Sequence, residues 1–257
     1  LVAPGPGRAG VFSAALATSF LSGVALMATL VDVPLLAQTL YGRDSLGAAL
    51  LLSRFLVALA LGALAGGVVA RRAGERPVAL GGLVLAAAGY LLVSGWPLQV
   101  LSARHHLGPL SLPRLDADLA LAGLGLGMVV APLASVVLRS SRAEDHGAAS
   151  AAVVAARMMG MLVGIGALAS WGLHRFQALT AHLTFPLPFG SPGPELAAKV
   201  ADYDQAVRLA LHAEYGEIFR ITAVVCAIAA VWALALGQGG ARARFPDLRH
   251  PEEMEQP

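Results

Sequence analysis

Six long apolar stretches dominate the sequence, and each is long enough to cross a lipid bilayer. They lie at residues 11–40, 45–70, 77–96, 117–138, 147–173 and 217–237. A bilayer-spanning helix needs about 20 predominantly apolar residues. Each stretch is rich in Leu and Ala and lacks the alternating polarity of a strand in a membrane β-barrel. The sequence therefore predicts an all-α membrane protein, with six transmembrane helices in one bundle over residues 11–237.

The composition excludes several classes of soluble protein. Of the 257 residues, 57% are hydrophobic and 13% are charged, about half the charged share of an ordinary soluble domain. The single cysteine, Cys226, excludes an internal disulfide framework and a cysteine-based metal cage. A net charge of +2, with arginines scattered over short loops, argues against nucleic acid as a partner. The motifs of intramembrane hydrolases and ATP-binding loops are missing, so we expect no enzyme, cofactor or metal.

Arginines in two short connections predict how the chain is oriented. Residues 71–76 and 139–142 are short and basic, and basic loops preferentially stay in the cytoplasm. Because the number of spans is even, both ends of the chain are then expected in the cytoplasm. Aromatic side chains favour membrane interfaces, and four mark the predicted outer side: Tyr41, Trp96, Trp171 and Tyr215.

The two long outer connections, 97–116 and 174–216, differ in pattern. The first contains three prolines and is compatible with either a small hairpin or an irregular loop. The second begins with a proline- and glycine-rich turn and continues with apolar residues spaced at three and four, which predicts an amphipathic helix running into the sixth span. The fifth and sixth helices are therefore expected to project beyond the bilayer. Residues 1–10 are predicted to be a linker and 238–257 a disordered cytoplasmic tail.

Arg157 lies near the middle of the fifth span, where a charge is costly and usually faces protein or a watery cavity. Gly160 and Gly164 follow on nearly the same helical face, and small residues let a second helix approach closely. We therefore expect Arg157 to point into a bundle. Two interpretations remain open: a gating ion pair with a carboxylate that alternates between exposed states, or a permanent structural pair.

Two further charges lie inside predicted spans. Asp32, in the outer half of the first span, is a candidate for binding and releasing a proton, because burial and nearby charges tune a carboxyl group's proton affinity. In the alternative interpretation, Asp32 caps the helix or hydrogen-bonds backbone groups that are freed by a kink next to Pro34. Arg54, in the second span, has no carboxylate three or four residues away. It is either a cavity or interface charge or a side chain that extends toward the outer headgroups.

Glycines form a second set of candidates. Gly123, Gly125 and Gly127 in the fourth span are predicted to be sites of close helix packing, like Gly160 and Gly164 in the fifth. In a transporter, such faces also allow helices to slide against one another.

The connection Gly67-Val68-Val69-Ala70-Arg71-Arg72-Ala73-Gly74-Glu75-Arg76 resembles the G-x-x-x-D-R-x-G-R-K loop of major facilitator transporters. The positions that carry the likeness are Gly67, Arg71, Arg72, Gly74 and Arg76, with Arg71 standing where the family motif has Asp. Its place after the second of six spans is similar to that of the cytoplasmic loop in the C-terminal bundle. Further stretches resemble the C-terminal half of mycobacterial-type triacylglyceride exporters: 25–33, 122–130, 146–176 and 215–219.

This resemblance implies six helices arranged as two inverted three-helix repeats, spans one to three and four to six. It also implies a plasma-membrane exporter that moves triacylglyceride-like lipids or hydrophobic drugs outward, driven by the proton gradient and working with a periplasmic lipid-carrying lipoprotein. Asp32 and Arg157 match its transport residues, and the acidic partner of Arg157 would lie in the N-terminal six-helix half. The sequence starts at Leu1 without an initiator methionine, so we expect a fragment. A six-span membrane scaffold that transports nothing is the alternative.

Overall fold

Six α-helices and two short 3-10 helices, Ala143–Asp145 and Leu234–Gly237, form most of the protein in a computed structural model. The structure describes residues 6–98, 100, 103–107, 110–186 and 193–237. The helices are α1 (Pro6–Thr39), α2 (Ser45–Ala73), α3 (Glu75–Ser94), α4 (Arg114–Ser140), α5 (His146–Thr180) and α6 (Gly193–Ala233). Within these residues, all six are long and apolar enough to cross a membrane, as the sequence predicts. The predicted tail, 238–257, and the first half of the predicted linker lie outside the described residues. The rest of that linker opens α1.

A small hairpin interrupts the helical fold between α3 and α4. Strands β1 (Arg104–Leu107) and β2 (Leu110–Pro113) pair antiparallel, with Arg104 opposite Pro113 and Leu107 opposite Leu110. The backbone N–H of Arg114 donates to the carbonyl of Ala103 at 3.0 Å and closes the base of the hairpin. Of the two alternatives for the first outer connection, the structure contains the hairpin.

The last two helices are much longer than a bilayer requires. With 35 residues in α5 and 41 in α6, their lengths are about 52 Å and 62 Å, against about 30 Å of hydrocarbon. Residues 193–216 belong to the same continuous helix as the sixth span, as the spacing of their apolar residues predicts. Both helices therefore extend beyond the length of a single crossing.

The packing pairs specific helices. α4 packs against α2 and α3, α1 against α5 and α6, and α3 against α6. Glycine contacts show that α1 and α5 run parallel, as do α2 and α4, whereas α3 runs antiparallel to α4. Apolar side chains fill the space between the helices in two clusters, one around Phe55, Tyr90 and Phe219 and the other around Leu83 and Leu133.

The two ends of the bundle differ in character. Val11, at the start of α1, and Leu236, just after α6, share one apolar cluster with Val137, near the end of α4. Both described chain ends therefore lie beside the arginine-rich connections at 71–76 and 139–142, and we call this the basic end. The opposite end, which carries the β-hairpin and the junction between α5 and α6, we call the hairpin end.

Candidate functional site

The contact between α1 and α5, which we call the α1–α5 seam, depends on three glycines: Gly23, Gly160 and Gly164. A Cβ atom on Gly160 would overlap the carbonyl oxygen of Phe20, and one on Gly23 would overlap the carbonyl oxygen of Arg157. Since any side chain at these positions would force the helices apart, the seam requires glycine. Ser19 adds a hydrogen bond across it, donating to the carbonyl of Val153 at 2.8 Å.

Arg157 lies in this seam, and no described residue pairs with its charge. Its backbone is pressed against Gly23, its side chain is partly buried, and its buried Nε has no hydrogen-bond acceptor within the described part of the chain. Asp32 lies nine residues beyond Gly23 on α1, which places it about 13 Å further along the helix axis. The structure therefore does not bring the two predicted transport residues together.

Asp32 is the one buried polar residue of α1 whose side chain is left without a hydrogen bond among the described residues. It is only 8% exposed. The other buried polar residues of this helix are satisfied: Thr18, Ser22 and Thr29 donate to carbonyls one turn earlier, and Ser19 crosses to α5. Pro34 lies within α1, but no hydrogen bond links Asp32 to the described backbone beside it. The kink-satisfying alternative therefore has no contact to support it.

A buried polar contact joins α1 to α3 one turn below Asp32. The hydroxyls of Thr29 and Tyr90 are 2.5 Å apart, and the Tyr90 hydroxyl also donates to the carbonyl of Ala25 at 3.2 Å. The Tyr90 ring stacks on Phe219 of α6, with ring centroids 6.4 Å apart. This contact holds the first, third and sixth helices together in the half of the bundle nearer the hairpin end.

Arg54 has a partner that the sequence did not reveal. Its Nε lies 2.7 Å from Oδ1 of Asp116 at the start of α4, and the two side chains are 43% and 38% exposed. The side chain extends toward the hairpin end, as one of its two predicted roles requires. No carboxylate lies three or four residues from Arg54 on its own helix, and this partner lies on another helix.

A second glycine contact, the α2–α4 seam, consists of Gly62 and Gly66 on α2 and Gly123 and Gly127 on α4. Cβ atoms at Gly62 and Gly127 would overlap the carbonyl oxygens of Leu124 and Leu59, respectively. Gly125 faces the other way and packs against Ala86 and Gly82 of α3. The predicted packing glycines of the fourth span thus serve two different neighbours.

The connection between α2 and α3 consists of one residue, Gly74, whose φ of +90° favours glycine. Arg71 and Arg72 lie in the last turn of α2 and are exposed, and Arg76 lies in the first turn of α3. Gly67 lies nearly two turns before the end of α2, and a Cβ atom there would lie 3.4 Å from the Cβ of Ala131. Among the five positions that resemble the loop motif, Gly74 is the one whose residue type is explained by local backbone geometry.

Two of the aromatic residues expected at the outer membrane interface are buried in protein instead. Trp96 is 3% exposed, and its indole N–H donates to Oδ2 of Asp118 at 2.8 Å. His212 of α6 donates through Nε2 to the carbonyl of Trp96 at 2.7 Å. Tyr215, also buried, lies 3.3 Å from the hydroxyl of Thr39. Their polar atoms have protein partners, so these rings link helices at the hairpin end.

A metal centre is not formed by the described side chains, since no three His, Cys, Asp or Glu residues among them are grouped closely enough to bind an ion. The side chains of His105 and His106 lie outside the described part of the hairpin.

No family model matches the chain. The chain is similar to the triacylglyceride transporter of Mycolicibacterium hassiacum, with 50% identity over 226 residues, covering 87% of this chain and 42% of that protein. It is 47% identical over 248 residues to the triacylglyceride transporter of Mycobacterium tuberculosis strain H37Rv, covering 96% of this chain and 46% of that protein. For the triacylglyceride transporter of Mycobacteroides abscessus, identity is 52% over 196 residues, with shares of 75% and 38%.

The chain thus spans less than half the length of the curated relatives that it matches. These relatives are named transporters and not enzymes. Together with six apolar helices, they identify a multi-pass membrane protein that is similar, over most of its own length, to part of the triacylglyceride transporters.

Proposed function

We propose that the chain forms the C-terminal six-helix bundle of a proton-coupled secondary transporter of the major facilitator type, located in the plasma membrane. It exports triacylglyceride-like lipids or hydrophobic drugs by alternating access. The observation that carries this proposal is the similarity of 96% of the chain to less than half of a protein named triacylglyceride transporter. A second six-helix bundle accounts for the remaining length of such a relative.

The helix packing supports an arrangement of two inverted three-helix repeats. Exchanging α1 with α4, α2 with α5 and α3 with α6 converts the α1–α5 contact into the α2–α4 contact, and the α1–α6 contact into the α3–α4 contact. Helices that are exchanged in this way are also buried to similar extents. In their most apolar 18-residue windows, α1 and α4 are each 56% buried, α3 and α6 each 44%, and α2 and α5 28% and 22%. Inverted repeats of this kind are common in secondary transporters.

The least buried helices, α2 and α5, offer an apolar surface for the second bundle, the lipid bilayer and the cargo. Their exposed large side chains include Leu56, Val57, Leu61, Leu64, Met158, Met159, Leu162 and Val163. Charged residues are rare in the central parts of these helices, where Arg54 and Arg157 interrupt long apolar runs. A wall of this composition favours an apolar or amphipathic cargo over sugars or ions.

Two charges are proposed to couple transport to the proton gradient. Asp32 binds and releases the proton, which is consistent with its burial and its lack of a hydrogen bond among the described residues. Arg157 pairs with an acidic side chain of the second bundle in one state of the cycle and releases it in another. The buried and unsatisfied Nε supports a partner that lies on another bundle.

The basic end is proposed to face the cytoplasm, because Arg71, Arg72, Arg139 and Arg142 gather there. The extended parts of α5 and α6 then project from the outer face of the membrane. There they are positioned to deliver lipid to a periplasmic lipid-carrying lipoprotein.

The proposal is tested in proteoliposomes that contain the full-length transporter and a fluorescent triacylglyceride, with a fluorescent hydrophobic drug in a parallel assay. We expect a pH gradient to accelerate transport by the unmodified protein and to have no effect on Asp32→Asn. The matched control is Asp44→Asn, since Asp44 is an exposed N-cap of α2 and Asn also caps helices. An Asp32→Asn transporter with unchanged pH dependence would contradict proton coupling through this residue.

A six-span scaffold that transports nothing is the second candidate, and the Arg54–Asp116 ion pair is the observation that favours it. A scaffold would pair its membrane arginines permanently. To distinguish the transporter from the scaffold, Arg157→Asp is combined in turn with the replacement of each acidic residue of the second bundle by a basic one. Recovery of transport in one such combination supports the gating pair, whereas transport by neither the variants nor the unmodified protein supports the scaffold.

A further inference from the structure

At the hairpin end, α5 and α6 extend beyond the packed part of the bundle. Gly172 is the last buried residue of α5, and Ala210 is the first buried residue of α6. None of the described residues in 173–186 or 193–209 is buried. The bundle therefore does not enclose the part of α6 before Ala210, which we call the α6 extension, and the direction of this extension is set where it leaves the bundle.

An ion pair joins the two helices at this point. Nε of Arg175 on α5 donates to both carboxylate oxygens of Glu217 on α6, at 3.0 and 2.9 Å, and Nη2 lies 2.8 Å from Oε1. Because a planar guanidinium binds both oxygens, the pair constrains orientation as well as distance. The side chains are 39% and 23% exposed. Since such pairs contribute little to the free energy of unfolding, the main consequence of this contact is the angle between two helices.

Next to the ion pair, the helices touch at Gly172. A Cβ atom there would lie 2.6 Å from Oε1 of Glu214 and 3.2 Å from Cδ1 of Ile218. Side chains of α6 therefore occupy the space that a side chain on α5 would need. A glycine surface offers no side chain that interlocks with the facing helix, so this contact brings α5 and α6 close without fixing the angle between them.

A contact between two rings lies farther from the bundle. Phe185, which follows the end of α5, meets Tyr203 of α6 edge to face, with ring centroids 5.4 Å apart. Tyr203 precedes Glu217 by 14 residues, which is about 21 Å along the helix. The ring contact attaches residues 181–186 to the α6 extension, whereas the ion pair attaches α6 to α5 itself.

We propose that Arg175 and Glu217 are positioning residues for lipid delivery, because their ion pair sets the direction of the α6 extension. The proposal rests on the proposed export of triacylglyceride-like lipids, which places this extension on the outer side of the membrane. It gives a role to two charges that the proposed proton coupling does not use. Without the pair, the extension pivots at Gly172 and no longer stands where the lipid leaves the bundle.

The first experiment measures the direction of the extension. Spin labels are attached to cysteines introduced at Ala178 and Ala201, which are both exposed, in a full-length transporter without accessible native cysteines. We expect one narrow distance distribution in the unmodified protein and broad distributions in Arg175→Gln and Glu217→Gln. The charge-swapped double variant, Arg175→Glu with Glu217→Arg, is expected to narrow the distribution again. Narrow distributions in both single variants would overturn the proposal.

The second experiment follows export of a fluorescent triacylglyceride from proteoliposomes. Both single variants are expected to lose most of the maximal rate while the lipid concentration that gives the half-maximal rate stays the same, because delivery is impaired and lipid binding is not. The charge-swapped variant should recover part of the rate. Single variants with the unmodified rate, or a charge-swapped variant as slow as they are, would contradict the role in delivery.

The matched control breaks an ion pair that lies within one helix. Glu195→Gln removes the 2.8 Å contact with Lys199, one turn later on α6, and should change neither the distance distribution nor the export rate. Equal losses in this control would show that any lost charge pair on α6 has the same effect, which would overturn the proposal. An unmodified transporter that moves no lipid would refute the proposed function, while the spin-label distances would still decide whether the pair sets the direction of α6.

Discussion

The two glycine seams of the bundle use the same packing solution but treat charge differently. In both the α1–α5 seam and the α2–α4 seam, parallel helices approach so closely that a Cβ atom would overlap a facing carbonyl oxygen. Beside the α2–α4 seam, Arg54 is paired with Asp116. In the α1–α5 seam, the buried Nε of Arg157 has no acceptor in the described part of the chain.

This difference separates a structural charge from one available for function. An unpaired buried charge is retained only at a cost in stability, since desolvation is not repaid by a partner. Two glycine contacts with the same close packing therefore need not share a function. The seam that leaves its charge unsatisfied is the one in which we place the coupling machinery.

The largest expected difference between the seams is in transport. Arg157→Gln should abolish lipid transport but leave the midpoint of thermal unfolding unchanged or raise it, because it removes a partly buried charge whose Nε bonds to nothing among the described residues. Arg54→Gln should retain transport. Proteoliposome assays and thermal unfolding in detergent measure both quantities. Loss of transport in both variants would remove the distinction between the two charges.

The next effect tests whether the seams are equally tight. Gly160→Ala and Gly127→Ala should each lower the free energy of unfolding by about 1–3 kcal/mol, as expected when close-packed contacts are forced apart. Gly166→Ala and Gly81→Ala are the controls, because added Cβ atoms there meet nothing within 4 Å. Denaturant unfolding in detergent gives the values. If only one seam responds, the two contacts are not structurally equivalent.

A smaller effect concerns the hydrogen bond across the α1–α5 seam. Ser19→Ala removes the 2.8 Å bond to Val153 and should lower the free energy of unfolding by about 0.5–1.5 kcal/mol. Ser53→Ala is the comparison, because Ser53 bonds only to the carbonyl of Leu50 in its own helix. An equal loss in both variants would mean that the interhelical bond adds nothing specific.

The smallest effect is expected for the Arg54–Asp116 pair. Both side chains are more than a third exposed, so a double-mutant cycle with alanine should give a coupling energy of about 0.2–1 kcal/mol. The same cycle at high salt should give less. A value that salt does not change would show that the pair is shielded from the solvent.

The elements that sequence predicted well are those with a local cause. All six spans are predominantly apolar, and the apolar spacing of 196–211 continues into the sixth span, so that one helix results. Gly160 and Gly164 were predicted beside Arg157 because residues three and seven apart share a helical face. Each of these patterns lies within one helix.

The relationships that sequence missed join separate helices. Asp116 reaches Arg54 because α2 and α4 run parallel, and Glu214 lies at Gly172 because α5 and α6 meet there. Trp96 was expected at a membrane interface, but Asp118 offers its indole a buried acceptor. No spacing along the chain encodes these distances, which depend on how the helices cross.

Because α6 is one continuous helix, a movement at one end displaces the other end. Its 41 residues contain no interruption between the hairpin end and the bundle core, so a rotation at one end is carried to the other. A tilt of about 10° around its basic end would move the opposite tip by about 10 Å over a helix about 62 Å long. Rearrangements too small to reshape the core would therefore become large displacements outside the membrane.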